Sequence, residues 1–307
     1  MVVVGDALAD VSALLASPFE EASDTPATIT IGPGGSAANA AAWLAALGVG
    51  TAFIGTVGDD LLGSVQVEDL RRRGVLPAVQ VLPGQPTGVV VAIVTAGGQR
   101  SMVTSRGAAM GLRPEHLPRD LFRRGCHLHL SGYVLLDGQT RAAGLAALEL
   151  ARAVEMTISI DPSSRGPLRR VGKGIFRDWT RGAQVLLPNL DEAEVLTGQG
   201  KPAAMITELL TDYQEVVLSL GEGGAMWGSG RRRRRLPAVP AAVTDTTGAG
   251  DAFAAGWLAG WLAGATAASA LESALALAAL AVAHPGGRPP ERVDFGPALG
   301  GRRDSPS

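Results

Sequence analysis

Cysteine is nearly missing from this 307-residue chain, in which Cys126 stands alone. No internal disulfide can brace the fold, and such usage suits a reducing compartment, the cytoplasm. An excess of charge is missing too: the formal net charge is −2, so there is no electrostatic footprint for nucleic acid. A Walker A loop is also lacking. Its nearest counterpart, Val171-Gly172-Lys173-Gly174, has neither the upstream glycine nor the Ser/Thr, which excludes a P-loop kinase. The first stretch, MVVVGDALAD, has no basic flank and meets Asp6 at once, unlike a signal peptide. Ala252 to Leu271 carries no charge for 20 residues, long enough to cross a bilayer. It is mostly Ala, Gly and Thr, however, and Asp251 and Glu272 bracket it. With Gly264 as a break, it reads as two buried helices of a soluble domain and not as a membrane anchor.

What the chain does have is concentrated in Val243 to Leu258, VTDTTGAGDAFAAGWL. A β-branched run passes into Gly248-Ala249-Gly250, and Asp251 opens a run of helix formers. Glycines at such a turn let backbone N–H groups point at an anion, and the helix start adds its positive end. Asp251 could be an ordinary helix cap or a proton acceptor beside that cradle. A second focus is Gly32 to Gly48, GPGGSAANAAAWLAALG. Gly32, Gly34 and Ala37 meet the spacing of a dinucleotide fingerprint, yet Pro33 stiffens the turn where that fingerprint needs freedom. Asn39 is a poor choice for a helix interior on propensity alone, which favours a role in a site.

The remaining chain has the rhythm of an α/β protein. Val2 to Gly5 reads as a central parallel strand, with Asp6 and Asp10 at the end where open sheets bind ligands. An acid there could grip hydroxyls or lie in a solvated loop. Short strands are expected at 12–16 and 27–31. Val89–Thr95 and Arg100–Ser105 alternate around Gly97-Gly98 as a hairpin; Arg106, just after it, could meet an anionic group but is read first as a surface arginine. From His127 onward, strands at 127–130, 157–160, 184–187 and 216–220 alternate with helical stretches, as in a doubly wound parallel sheet. His127 and His129 share a strand face with no third metal ligand in view. Arg231–Arg235 reads as the solvated loop of a hairpin.

The run D-T-T-G-A-G-D-A-F resembles the C-terminal signature of the PfkB (ribokinase-like) carbohydrate kinase family. G-G-x-x-x-N from Gly34 to Asn39 resembles the N-terminal one. G-x-x-G-D-D-x-x-G from Gly55, N-x-x-E from Asn189 and S-x-G-x-x-G from Ser219 also resemble family motifs, in the family's order. The resemblance covers essentially the whole chain.

It implies a three-layer αβα sandwich with a mainly parallel central sheet. One kinase domain, 1–297, would carry a small β-sheet lid from segments 12–31 and 87–106, ahead of a disordered tail at 298–307. It implies an ATP-dependent kinase with Asp251 as general base and Gly248, Ala249 and Gly250 as anion hole. Asp10, Gly34, Gly35 and Asn39 would bind the acceptor, and Asn189, Ser219, Gly221 and Gly224 the nucleotide. Glu192 would organise Mg²⁺ through water. Asp245 matches the acid of a K⁺ site, although Arg288 is near enough in sequence to replace such an ion.

Ribokinases resemble G-G-K-G-A-N where this chain has G-G-S-A-A-N, and the lid segments offer only Phe19 for stacking on a base. A sugar or sugar acid is therefore the expected acceptor, with a nucleoside as alternative and a catalytically inactive sugar-binding paralogue as the reading outside enzymes. No nucleic-acid or membrane partner is expected, and two copies could pair through the lid.

Overall fold

The computed structural model describes residues 1–95 and 100–291. The expected Gly97-Gly98 turn and the expected tail lie outside these residues. In chain order the elements are β1 (Val2–Val4), β2 (Leu8–Leu15), β3 (Ala27–Gly34), α1 (Ser36–Ala46), β4 (Ala52–Gly58), α2 (Leu61–Arg72), β5 (Leu76–Leu82), β6 (Thr87–Val94) and β7 (Arg100–Gly107). Short 3₁₀ turns lead to β8 (His127–Ser131), α3 (Tyr133–Leu136), α4 (Arg141–Ala153), β9 (Thr157–Asp161), α5 (Arg165–Val171), α6 (Lys173–Thr180) and β10 (Val185–Leu186). There follow α7 (Leu190–Thr197), α8 (Pro202–Leu209), β11 (Glu215–Ser219), β12 (Ala225–Ser229), β13 (Arg232–Leu236), α9 (Ala249–Leu262) and α10 (Ala267–Val282).

Nine strands form the main sheet, in the order β13-β12-β11-β10-β9-β8-β1-β4-β5. From β11 to β5 every pairing is parallel, while β12 and β13 add an antiparallel hairpin at one edge. Strands buried on both faces need apolar side chains on both, and the period of two sorts them. Val2 and Val4 join one core cluster with α3 to α8; Val3 joins the other with α1, α2, α9 and α10. These clusters are the two interfaces of an αβα sandwich, as expected.

The uncharged run from Ala252 resolves into α9 and α10 with Gly264 between them in a left-handed conformation (φ 74°). A Cβ on Gly256 would come within 2.8 Å of the Ala274 Cα, so small residues let these two helices close on each other. No helix among the described residues is long and apolar enough to cross a membrane.

The arginine run corrects one expectation. Arg232–Leu236 is strand β13, the edge of the main sheet, and not a loop. Charged side chains on an edge strand discourage pairing with another sheet. The two strand histidines are buried and neutral: Ser159 Oγ contacts His127 Nε2 at 2.7 Å and His129 Nδ1 at 2.8 Å, and burial holds both rings at low pKa, about 3 and 4. No metal-binding cluster of His, Cys, Asp or Glu occurs among the described residues.

A separate four-stranded sheet, β3-β2-β6-β7, stands over the carboxyl ends of the main strands. Its first strand begins at Leu8, ahead of the expected segment 12–31. Even-numbered residues of β2, β6 and β7 (Asp10, Val90, Met102, Thr104 and Arg106) face the cleft between the sheets. Odd-numbered ones, with the paired odd-numbered residues of β3, form an outer apolar face on which Ile29, Ile31 and Val103 are more than 60 % exposed.

Candidate active site

The chain winds one way from β1 through β4 to β5 and the other way from β8 to β11, so β1 and β8 flank a topological switch point, where open α/β sheets bind ligands. A cavity of about 330 Å³ opens there. The ends of successive strands deliver Asp6, Tyr133, Asp161, Asn189 and Ser219 to its wall, and the starts of α1 and α9 complete it.

Asp251 is the third residue of α9 and is only 8 % exposed. Ser36 Oγ donates to its Oδ1 at 2.8 Å, and Asn39 Nδ2 donates to its Oδ2 at 2.9 Å. Burial pushes this carboxyl up to about 6, against the opposing pull of the Asn39 and Ser36 hydrogen bonds. Gly248 caps α9 in the left-handed region (φ 74°), where a Cβ would strike Gly287 Cα at 2.5 Å. Only glycine fits both demands. A Cβ on Gly250 would meet nothing within 4 Å, so backbone there is open to a ligand. The first N–H groups of any helix lack intrahelical partners, and those of α9 face a cavity lined by Thr247, Gly248 and Gly250. Ala249 is not part of the lining.

The N-terminal glycines also have steric reasons. Gly35 has φ 89°, and a Cβ there would meet the Asp6 carbonyl at 2.6 Å; on Gly34 it would overlap the Asp10 carboxylate at 2.1 Å. Asp10 faces the cavity, its carboxyl raised to about 6 by burial, with Arg288 pulling the other way. Asn39 has its amide nitrogen committed to Asp251, while its Oδ1 is buried without a partner.

On the other side, Asn189 and Glu192 form a capping box at the start of α7. Asn189 Nδ2 donates to Glu192 Oε1 at 2.7 Å, its backbone N–H donates to Oε2 at 3.0 Å, and Glu192 N–H returns a bond to Asn189 Oδ1 at 2.9 Å. Both residues nevertheless line the cavity, and burial raises the Glu192 carboxyl to about 7 against its Asn189 bonds. Ser219 lines the cavity. Gly221 and Gly224 lie outside the lining, and a Cβ on Gly224 would strike the Leu236 carbonyl at 2.0 Å, which ties that glycine to the β12–β13 hairpin.

Asp245 latches two loops: it accepts from Thr247 N–H at 2.9 Å and from Gly286 N–H at 2.9 Å. Arg288 makes its bonds elsewhere, to Gln66 Oε1 at 3.1 Å and Gly34 O at 3.4 Å, beside Asp69 at 3.3 Å.

Several cavity residues were not assigned to the site from the sequence, among them Arg106, Tyr133, Asp161 and Ser163. Arg106 is no surface arginine: it is 22 % exposed, 3.4 Å from Asp6, with its guanidinium 4.0 Å over the Tyr133 ring. Asp161 ends β9, its carboxyl raised well above the ordinary range by burial and then by the charges of Glu192 and Asp251. Ser163 holds a left-handed backbone (φ 73°) and donates its N–H to Asp161. An acid before proline at the end of a parallel strand, Asp161-Pro162, was the available signal.

The pfkB family carbohydrate kinase profile matches residues 1–293. A fructokinase of Klebsiella pneumoniae is 32 % identical over 235 residues, 74 % of this chain and 76 % of that protein. The adenosine kinase of Sinorhizobium meliloti superposes with a TM-score of 0.86 at 28 % identity, over 97 % of this chain and 98 % of that one. A ribokinase-like E. coli protein solved in complex with ATP and Mg²⁺ superposes with a TM-score of 0.81 at 26 % identity, over 93 % of each chain. The strand order, the two-sheet cleft and these matches agree: the chain belongs to the pfkB family of carbohydrate kinases.

Proposed function

We propose that this protein transfers the γ-phosphoryl group of ATP to a hydroxyl of a neutral sugar. The observation that carries the reading is a buried carboxylate, Asp251, at the start of a helix whose free N–H groups face the same cavity. As base, Asp251 takes the proton of the attacking hydroxyl. The N–H groups around Gly248 and Gly250 meet negative charge on the transferred group. ATP supplies that group, and Mg²⁺ offsets its charge when bound. Asn189 and Ser219 border the nucleotide side. Glu192, an acid in the cavity wall with Asp161 beside it, is the residue suited to hold hydrated Mg²⁺.

Asp10 on the small sheet accepts sugar hydroxyls, and that sheet shuts water out. Five carboxylates line the cavity among the described residues, and the single guanidinium, Arg106, is already placed on Asp6 and Tyr133. Such a lining favours a neutral acceptor over a sugar acid. Fructose heads the candidates because curated relatives are fructokinases. A nucleoside is the second reading. A neighbouring cavity of about 290 Å³, sharing Asp10, Val90 and Met102 with the first, has room for a base.

ATP consumption against a panel of ketoses, aldoses, sugar acids, sugar phosphates and nucleosides tests the proposal. Turnover of a neutral sugar is expected. Turnover of sugar acids or nucleosides alone would overturn the acceptor, and no turnover with any of them would favour an inactive sugar-binding protein.

A further inference from the structure

Helix α1 is capped by Gly35, whose positive-φ backbone (φ 89°) leads into Ser36 and Asn39, three residues apart on one helical face turned to the start of α9. Each contributes one donor to a different oxygen of Asp251, at 2.8 Å and 2.9 Å. The buried part of α1 is otherwise alanine with Trp43 and Leu44, so packing makes no demand for a hydroxyl at position 36. Ser36 is half-buried and Asp251 buried, and both line the cavity.

The surroundings explain what such a donor does. Facing Asp251 are Asp6 from the end of β1, Asp10 from β2, Asp161 from β9 and Glu192 from α7, with Arg106 from β7 and Arg288 from the loop after α10 as the opposing charges. Four acids against two guanidiniums, in a buried site, favour the protonated form. A carboxyl serves as base only when ionised. A hydrogen bond donated to the carboxylate favours the ionised form, and two donors from one rigid turn also fix its plane.

We infer that Ser36 is a positioning residue for phosphoryl transfer: its hydroxyl holds the Asp251 carboxylate ionised and oriented, leaving the remaining lone pairs for the acceptor hydroxyl. The inference rests on Asp251 acting as the base.

The test measures kcat and both KM values from pH 5 to 9 for the native enzyme, Ser36→Ala, Ser36→Thr and Asp251→Asn. Losing one hydrogen bond to a charged group is expected to lower kcat of Ser36→Ala about tenfold at pH 6. The deficit should shrink towards pH 8.5 as the acid limb moves up. Both KM values should stay within about twofold, since the hydroxyl binds the carboxylate and not the substrate. Ser36→Thr keeps the hydroxyl and should restore the native profile, which also guards against a folding defect in the alanine variant. A Ser36→Ala profile that superimposes on the native one overturns the inference, as does an acceptor KM that rises while kcat holds. If Asp251→Asn retains native kcat, the base assignment itself falls. If Asp251→Asn is inactive while Ser36→Ala is normal, only the role of Ser36 falls.

Discussion

The two sheets meet at one cavity but are built differently. The inner strands of the nine-stranded sheet, β1, β4 and β8 to β11, are covered on both faces, and Phe53, Leu130, Val216 and Phe176 beneath or beside them are completely buried. Among the described residues, the four-stranded sheet has a small core cluster of Leu8, Val90 and Ala109, and it leaves Ile29, Ile31 and Val103 to solvent. Stability therefore resides in the first sheet. The proposed chemistry rests there as well, at strand ends and helix starts that packing makes rigid. The second sheet contributes selection: Asp10 and Arg106 reach the cleft from strands with little beneath them. A site assembled this way can change its acceptor by altering the small sheet without disturbing the base.

The sharpest way to probe that division is Asp251→Asn. Losing a general base should reduce kcat about 10²–10⁴-fold while acceptor binding persists. Stability should move the opposite way. The carboxyl is raised from its ordinary value of 3.8 to about 6 in the fold, so its contribution to stability is complete below the unfolded value and lost as pH rises through about 6. The variant should thus melt above the native protein at pH 8, with the gap closing towards pH 4. Thermal melts at both pH values, beside the rate, check this; a native-like rate would move the base elsewhere.

Next comes Phe176→Ala, under the large sheet, expected to cost about 3–5 kcal/mol. Urea unfolding should show it directly, and a loss below about 1 kcal/mol would mean that the core is less close-packed than described.

Asp10→Asn attacks the other region. It should raise the acceptor KM about tenfold, the scale of one charged hydrogen bond, and leave the ATP KM within twofold. Equal changes in both would remove Asp10 from the acceptor side. A smaller effect is expected for Glu192→Gln, which should raise the Mg²⁺ concentration at half-maximal rate a few-fold. If that requirement does not move, Glu192 is a helix cap alone.

Ile31→Ala should have the least effect, within about 0.5 kcal/mol. The same exposed face is where two copies would pair, so sedimentation of an Ile31→Lys, Val103→Lys double variant should show a lower mass than the native protein if they do.

Much of this architecture was legible in the residues. Parallel strands such as Val216–Leu218 announce themselves because burial on both faces demands unbroken apolar runs. Glycines at 35 and 248 were legible because backbone conformation and close approach leave no alternative. Arg231–Arg235 was not, because a charged strand at a sheet edge and a solvated loop share the same composition. Arg106 and Tyr133 stand 27 residues apart in the chain, and only the folding of β7 over the end of β8 stacks one on the other. For Asn39 the residue was legible but its partner was not, since the contact joins α1 to α9 across 212 residues.

The Trp43 indole lies fully buried in α1 and donates its Nε1–H to the Gly287 carbonyl at 2.9 Å. The same glycine backs Gly248 on one side and Asn39 on the other. An indole so placed is a native optical reporter: any shift of that loop as ligands arrive alters the polarity and hydrogen bonding that set its emission. With the other four tryptophans replaced, the fluorescence of Trp43 would follow loading of the cavity in real time, without a coupled assay or an added dye.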